Sequence, residues 1–254
     1  MAITRQEFIR SIAANIFWTD MARPASERTP LDRESANSLI CGILLNRGIP
    51  WEKAMSAMDT LKSRTGYTDT LLMCSEMSVP MLEYVMFDDG NGAIHRYRYM
   101  ADYLHQLMCG IRDEWDGDAR NLWSDEPTFS TLQARLMDFK GYGLKCSSLA
   151  IRLAVLSHGV ILWDKYTGMD VSADRHMCRV MQRLGLVGEN PTQQEVINKA
   201  REISPMCAVE LEGLFGLALS HCHASRQECH GNTNEDGYEE REPCPLLPAC
   251  LSAR

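Results

Sequence analysis

Four cysteines, Cys222, Cys229, Cys244 and Cys250, fall within the last 33 residues in the spacing C-x6-C-x14-C-x5-C. Thiols so concentrated are ligand chemistry. Iron–sulfur clusters take four cysteines, and so does structural zinc, although the paired C-x2-C spacing usual for zinc is absent. Two other segments could do chemistry. In F-K-G-Y-G-L-K (139–145), Gly141 and Gly143 permit a tight hairpin and leave backbone N–H groups at a helix start open to an anion, with phosphate the natural guest. A plain helix–helix turn is the alternative. In V-S-A-D-R-H (171–176), Asp174 stands where an N-cap belongs and His176 follows it, so capping and packing compete with carboxylate and imidazole chemistry.

The elements that must position these residues are helical, because apolar residues recur at helical spacing and alternating strand patterns are scarce. Thr4 and Glu7 form a capping box ahead of Phe8, Ile12 and Ile16, predicting a first helix that ends near Asp20. A polar, proline-containing stretch over 21–33 reads as a linker before a second helix with Leu39, Ile40, Ile43 and Leu44 on one face. Shorter helices follow to about Gly110, interrupted by the turn cluster at 88–92. Leu132 and Leu136 precede the glycine pair, and Leu149, Leu153 and Leu156 follow it. Met177, Val180, Met181 and Leu184 continue from Asp174 to a stop at Gly185. Thr192 with Glu195 is a second capping box, and Ser204-Pro205 reads as an N-cap and first-turn proline opening the apolar run 209–219.

With 254 residues, 45% apolar and 24% charged, the chain has the makeup of a soluble globular protein of one large or two modest domains. The N-terminal 20 residues lack a secretory layout, and no apolar run approaches a membrane span, so the expected location is intracellular, neither secreted nor in a membrane. Thiols are then the expected state of the ten cysteines; Cys41, Cys74, Cys109, Cys146, Cys178 and Cys207 lie in apolar or helical segments and read as small hydrophobes. A net charge of −8 argues against a polyanionic partner, but its distribution is uneven. Residues 139–186 carry a local +4, and the insert between Cys229 and Cys244 carries −4.

Taken in order, the glycine pair with Lys145, the segment V-S-A-D-R-H-M-C-R-V and the cysteine set resemble the endonuclease III branch of the helix-hairpin-helix DNA glycosylases. That family has an L-P-G-V-G-x-K hairpin, a V-D-T-H segment and a C-x6-C-x2-C-x5-C cluster loop. The first and last cysteine spacings match, the middle one is longer, and Lys140 replaces the hairpin proline. The resemblance covers the C-terminal half; the N-terminal half agrees only in helical pattern. It implies an all-α, two-lobed fold, with a helical barrel over 35–150 and a cluster domain made of 1–34 plus 151–254. It also implies Lys145 as nucleophile, Asp174 as the carboxylate that stabilises positive charge on the sugar, and the four cysteines as ligands of a [4Fe–4S] cluster.

The implied activity is excision of a damaged or mismatched base, with strand cleavage through a lysine Schiff base, from double-stranded DNA bound by a monomer, in the cytoplasm at the nucleoid. The target nucleotide would be flipped out of the stack. Gly141, Gly143 and Lys140 would grip phosphate, and His176 would also contact DNA. Where the family often places a gap-filling glutamine, this chain offers Asn46 or Arg47, with a solvated turn as the alternative. A glycosylase without lyase activity and an inactive nucleic-acid-binding relative remain open. Lys145 and Asp174 are 29 positions apart, more than in the family's best-known members, which points to an insertion around 163–169.

Overall fold

The computed structural model describes residues 3–21, 24–88, 90–222 and 244–251; Cys229 and the acidic insert at 231–243 lie outside them. Among the described residues there are eleven α-helices and no strand. The chain divides into two compact units, residues 29–163 and residues 1–28 with 164–254. No single described helix is long and apolar enough to cross a membrane.

Unit 29–163 is built round α2 (Arg33–Leu45), started by the Asp32 side chain accepting from the Ser35 amide at 2.7 Å. Its last seven residues, Leu39–Leu45, are all buried, more than the one face read from sequence, because neighbours surround it: α3 (Trp51–Thr65), α4 (Thr70–Glu76), α6 (Met100–Glu114) and α8 (Leu144–His158) all pack on it. A helix apolar on every side is a core helix. Its buried Asn37 satisfies both ends of its amide, Nδ2 donating to Gly117 O at 3.1 Å and Oδ1 accepting from Ala119 N at 2.9 Å. That removes the penalty of an unpaired buried amide and ties down the turn after α6. Next in the chain after α4 comes α5 (Val79–Phe87), which packs on α6 and α3, and α7 (Phe129–Met137) packs against α8.

In the other unit, α1 (Arg5–Ile16) opens with the expected Thr4–Glu7 capping box and widens into a π-helical turn over Phe17–Met21. It packs against α11 (Gly213–Ser220), where Gly213 is required: a Cβ there would lie 2.1 Å from Ala13 O. The remaining helices are α9 (Arg175–Arg183) and α10 (Gln193–Ile203), the latter opened by the Thr192–Glu195 box. Ser204-Pro205 departs from expectation. Ser204 is the buried C-cap of α10, with φ −130° and ψ 79°, and the apolar run begins instead with a 3-10 turn over Ala208–Glu212. The proline ring keeps Ser204 out of the α region, which suits a helix start as well as a helix end, and α10 claims Ser204 as its end through the bond from Ser204 N to Ala200 O.

Candidate active site

The hairpin joins α7 to α8. Tyr142 N donates to Phe139 O at 3.0 Å, and Gly141, at φ +94°, makes the turn; a Cβ there would lie 2.5 Å from Tyr103 and 2.9 Å from Leu44. Only glycine fits both the backbone and the space. Tyr142 anchors the turn from below, its hydroxyl donating to Ile40 O at 2.6 Å, and burial pushes its phenol well above the ordinary range. Gly143 differs from Gly141. It is the N-cap of α8 with no side-chain acceptor, its φ of −115° is open to any residue, and a Cβ would meet nothing within 4 Å. Among the described residues no acceptor takes the amides of Leu144 and Lys145. These are the orphan donors of a helix start, on an exposed cap, where the macrodipole favours an anion.

Lys145, in that first turn, is half-buried and donates from Nζ to Asn46 Oδ1 at 3.1 Å. Asn46 is the C-cap of α2, and its Nδ2 donates to Ile49 O at 3.3 Å, which turns Oδ1 toward the lysine. Among the described residues of its unit the ammonium thus meets a neutral amide and no carboxylate. Arg47, next in the turn, is exposed. Burial pushes the Cys146 thiol up, and the positive charges of Lys145 and Arg47 partly offset that, so both cations lie near it. Lys140 is placed differently: it pairs with Asp102 at 3.0 Å and stands 5.2 Å from the Tyr103 ring centre. That pairing lowers the Asp102 carboxyl, helped by a hydrogen bond from Gln106.

Asp174 ends an extended, buried segment. Met169, Val171 and Ala173 are in the core, the Asp170 carboxylate receives both arms of Arg201 at 2.7 and 2.6 Å, and Ser172 N donates to buried Glu212 at 2.7 Å. Asp174 then caps α9, its Oδ1 accepting from His176 N at 2.8 Å and from Met177 N at 2.9 Å. Among the described residues Oδ2 takes no hydrogen bond, so the cap engages one oxygen and leaves the other for a second role. His176 is held within its unit, Nδ1 facing Arg179 at 3.1 Å, Nε2 facing Arg175 at 3.3 Å, and its ring edge-on to Phe215.

Cys222, Cys244 and Cys250 line one small pocket between α9 and the chain end, with Arg183, His221 and Leu246 among its other walls. Arg183 Nη1 donates to Cys222 Sγ at 3.2 Å, and Cys250 Sγ donates to Arg183 O at 3.7 Å. Among the described residues no three His, Cys, Asp or Glu side chains are gathered closely enough to hold a metal ion, and Cys229 is outside them. In kind the donors fit a thiolate-bound group: three thiols on one wall and a cation directed at sulfur.

The hairpin side thus brings together Asn46, Lys140, Gly141, Gly143 and Lys145, with Arg47 beside them; the other unit brings together Asp174 with His176, and separately three of the four cysteines. Sequence reasoning passed over buried His95 and the tyrosines at 97, 99 and 103, of which Tyr97 lies at Gly48 and Tyr103 at Gly141 of the hairpin. The interleaved run H-R-Y-R-Y (95–99), just after the turn cluster, was the available signal.

No family model and no curated protein matches the chain. Solved structures do. A trapped endonuclease III–DNA covalent intermediate aligns over 99% of this chain and 98% of its own with a TM-score of 0.63 and 18% identity. A thermostable thymine-DNA glycosylase aligns over 98% and 96% with a TM-score of 0.60 and 16% identity. The chain has the helix-hairpin-helix DNA glycosylase fold. An 8-oxoguanine glycosylase/lyase of Clostridium acetobutylicum, in complex with double-stranded DNA, shares less of the fold, over 72% of this chain and 59% of its own, with a TM-score of 0.52 and 13% identity.

Proposed function

We propose that this protein is a DNA glycosylase that removes a damaged or mismatched base and cleaves the strand through a Schiff base on Lys145. The observation that carries the reading is the setting of Lys145: an amine in the first turn of α8, beside amides without acceptors and a glycine cap open to solvent, and bonded among the described residues to the neutral Asn46 side chain. The hairpin amides would bind phosphate and so hold the strand against the amine. The neutral amine would attack the anomeric carbon as the glycosidic C–N bond breaks, the departing base taking up a proton. Ring opening then leaves a protonated imine, from which loss of a neighbouring proton expels the 3′ phosphate. Asp174, through Oδ2, would stabilise the positive charge that develops on the sugar. Asn46 or Arg47 would fill the gap left by the flipped base.

The same reading assigns Cys222, Cys229, Cys244 and Cys250 to a [4Fe–4S] cluster, supported by the spacing of all four and by the pocket that three of them line. When bound, the cluster would supply cross-linking of the chain end, and Arg183 would donate to a ligand sulfur. Absorbance near 400 nm, lost in Cys222→Ser along with iron, would support this assignment.

The test is sodium borohydride trapping and base release on a panel of duplexes with oxidised, alkylated and mismatched bases, for wild type, Lys145→Ala and Asp174→Asn. The expected result is covalent trapping by wild type on at least one lesion and none by Lys145→Ala. Base release without trapping would leave a glycosylase lacking lyase activity. No release on any lesion, with duplex binding intact, would leave a binding protein on an enzyme's fold.

A further inference from the structure

His95 is buried, and its ring clamps the segment after the 88–92 turn to the end of α2, Nε2 donating to Leu45 O at 3.0 Å and Nδ1 accepting from Tyr97 N at 3.1 Å. From that clamp three tyrosine rings run in a row. Tyr97 and Tyr99 stack with centroids 5.3 Å apart and planes 14° apart, and Tyr99 meets Tyr103 at 5.1 Å and 50°. Tyr99 is 42% exposed, and the rings on either side are half-buried, so the row is at the surface. It spans two close backbone approaches: a Cβ on Gly48 would lie 2.9 Å from Tyr97, and one on Gly141 would lie 2.5 Å from Tyr103. The row therefore links the Asn46–Gly48 turn to the hairpin.

Its charges are unequal. At the Tyr103 end Lys140 is balanced by Asp102. At the Tyr97 end Arg96 stands 5.0 Å from the ring centre, and its guanidinium donates to Gly48 O at 3.5 Å without a carboxylate partner among the described residues. Arg47 is exposed in the adjoining turn. A row of rings with Tyr99 exposed, beside the exposed Arg47 and an Arg96 that meets no carboxylate among the described residues, suits unpaired nucleotides, since any base can stack on an exposed ring and the cations take the phosphates. A fully paired duplex hides its base faces and offers such a row only phosphate.

We infer that Tyr97, Tyr99 and Tyr103 form a stacking platform for unpaired bases of a DNA strand whose phosphates follow Arg96 and Arg47. The preferred DNA then carries a bulge, bubble or single-stranded stretch next to the nucleotide gripped by the hairpin. The choice of DNA as ligand rests on the proposed glycosylase reading; the platform itself rests on the row.

The test is fluorescence anisotropy with a labelled single-stranded 25-mer DNA, its fully paired duplex, a duplex with a three-nucleotide bubble and the RNA of the same sequence. The proteins are wild type, Tyr99→Leu, which keeps bulk without a π face, and Tyr99→Trp, which keeps the face. Thermal melts check that the exposed substitution leaves the fold intact. The inference expects Tyr99→Leu to weaken single-strand and bubble binding about tenfold, with paired-duplex binding within about twofold and Tyr99→Trp near wild type. Equal loss on the paired duplex, or no loss on any unpaired DNA, overturns it. Tighter Tyr99-dependent binding of the RNA overturns the assignment to DNA. Because the readout is binding, the platform can stand if base excision fails, and excision can stand if the platform fails.

Discussion

The starts of α8 and α9 are two solutions to one problem, the orphan amides of a helix N-terminus. At α8 the cap is Gly143, which brings no acceptor, and the amides of Leu144 and Lys145 stay open among the described residues. At α9 the cap is Asp174, which brings a full negative charge and satisfies two amides with a single oxygen. One start attracts an external anion; the other supplies an anion and attracts a cation. Under the proposed function both would be used, one as a grip for the phosphate and the other as a carboxylate for the positive sugar, and the two starts differ by one cap residue.

The largest way to break this contrast is Asp174→Asn. Asparagine caps a helix about as well as aspartate, so the stability measured by urea denaturation should stay within about 0.5 kcal/mol. The rate of base release should fall about 10²- to 10³-fold, because the amide carries no charge for the developing cation. Equal loss of stability and rate would mean that Asp174 is only a cap. Next in size is Gly143→Asp, which gives α8 the cap of α9. It adds an acceptor for the open amides at an unstrained position with free space, so the melting temperature should hold or rise. Its carboxylate would occupy the phosphate site, and duplex affinity should fall about tenfold or more. Unchanged affinity would show that the hairpin start does not receive the strand.

Both helix starts could be read in the sequence because caps and hairpin turns are local. Thr4 reaches Glu7 and Thr192 reaches Glu195 three residues on, and Gly141 makes its turn within 139–142. Ser204-Pro205 misled because the pair is compatible with either side of a helix boundary, and only the preceding α10, which claims Ser204 as its end, decides between them. What supports the site was not legible. Asp170 meets Arg201 and Ser172 meets Glu212 across 31 and 40 positions, and Lys145 meets Asn46 across 99, so no window of sequence contains both partners. The tyrosine row was half-legible: its spacing is local, but its exposure depends on how α2 and the hairpin meet it.

Two smaller effects sharpen the contrast from the side of the fold. Gly141→Ala should cost about 1–3 kcal/mol in urea denaturation, since alanine is strained at φ +94° and its methyl meets Tyr103, whereas Gly143→Ala, at an unstrained N-cap, should cost less than about 1 kcal/mol. The pair separates a glycine kept for the chain from one kept for what lies outside it. The smallest expected effect is a pH slope from His95. Burial is the dominant influence and holds its imidazole below the ordinary value of 6.5, against hydrogen bonds that act the other way. Above about pH 6.5 the ring is neutral both folded and unfolded and contributes no slope. Below that, the unfolded chain takes up a proton that the folded ring refuses, so stability falls as the pH drops toward the folded value and then levels off. Urea midpoints from pH 7.5 down to pH 5 should therefore fall more steeply for wild type than for His95→Gln, by less than about 1.4 kcal/mol per pH unit. The same protonation would put a proton on Nδ1, which accepts from Tyr97 N, so the first ring of the row should loosen over the same interval. Parallel slopes in the two proteins would mean that the clamp does not depend on a neutral ring.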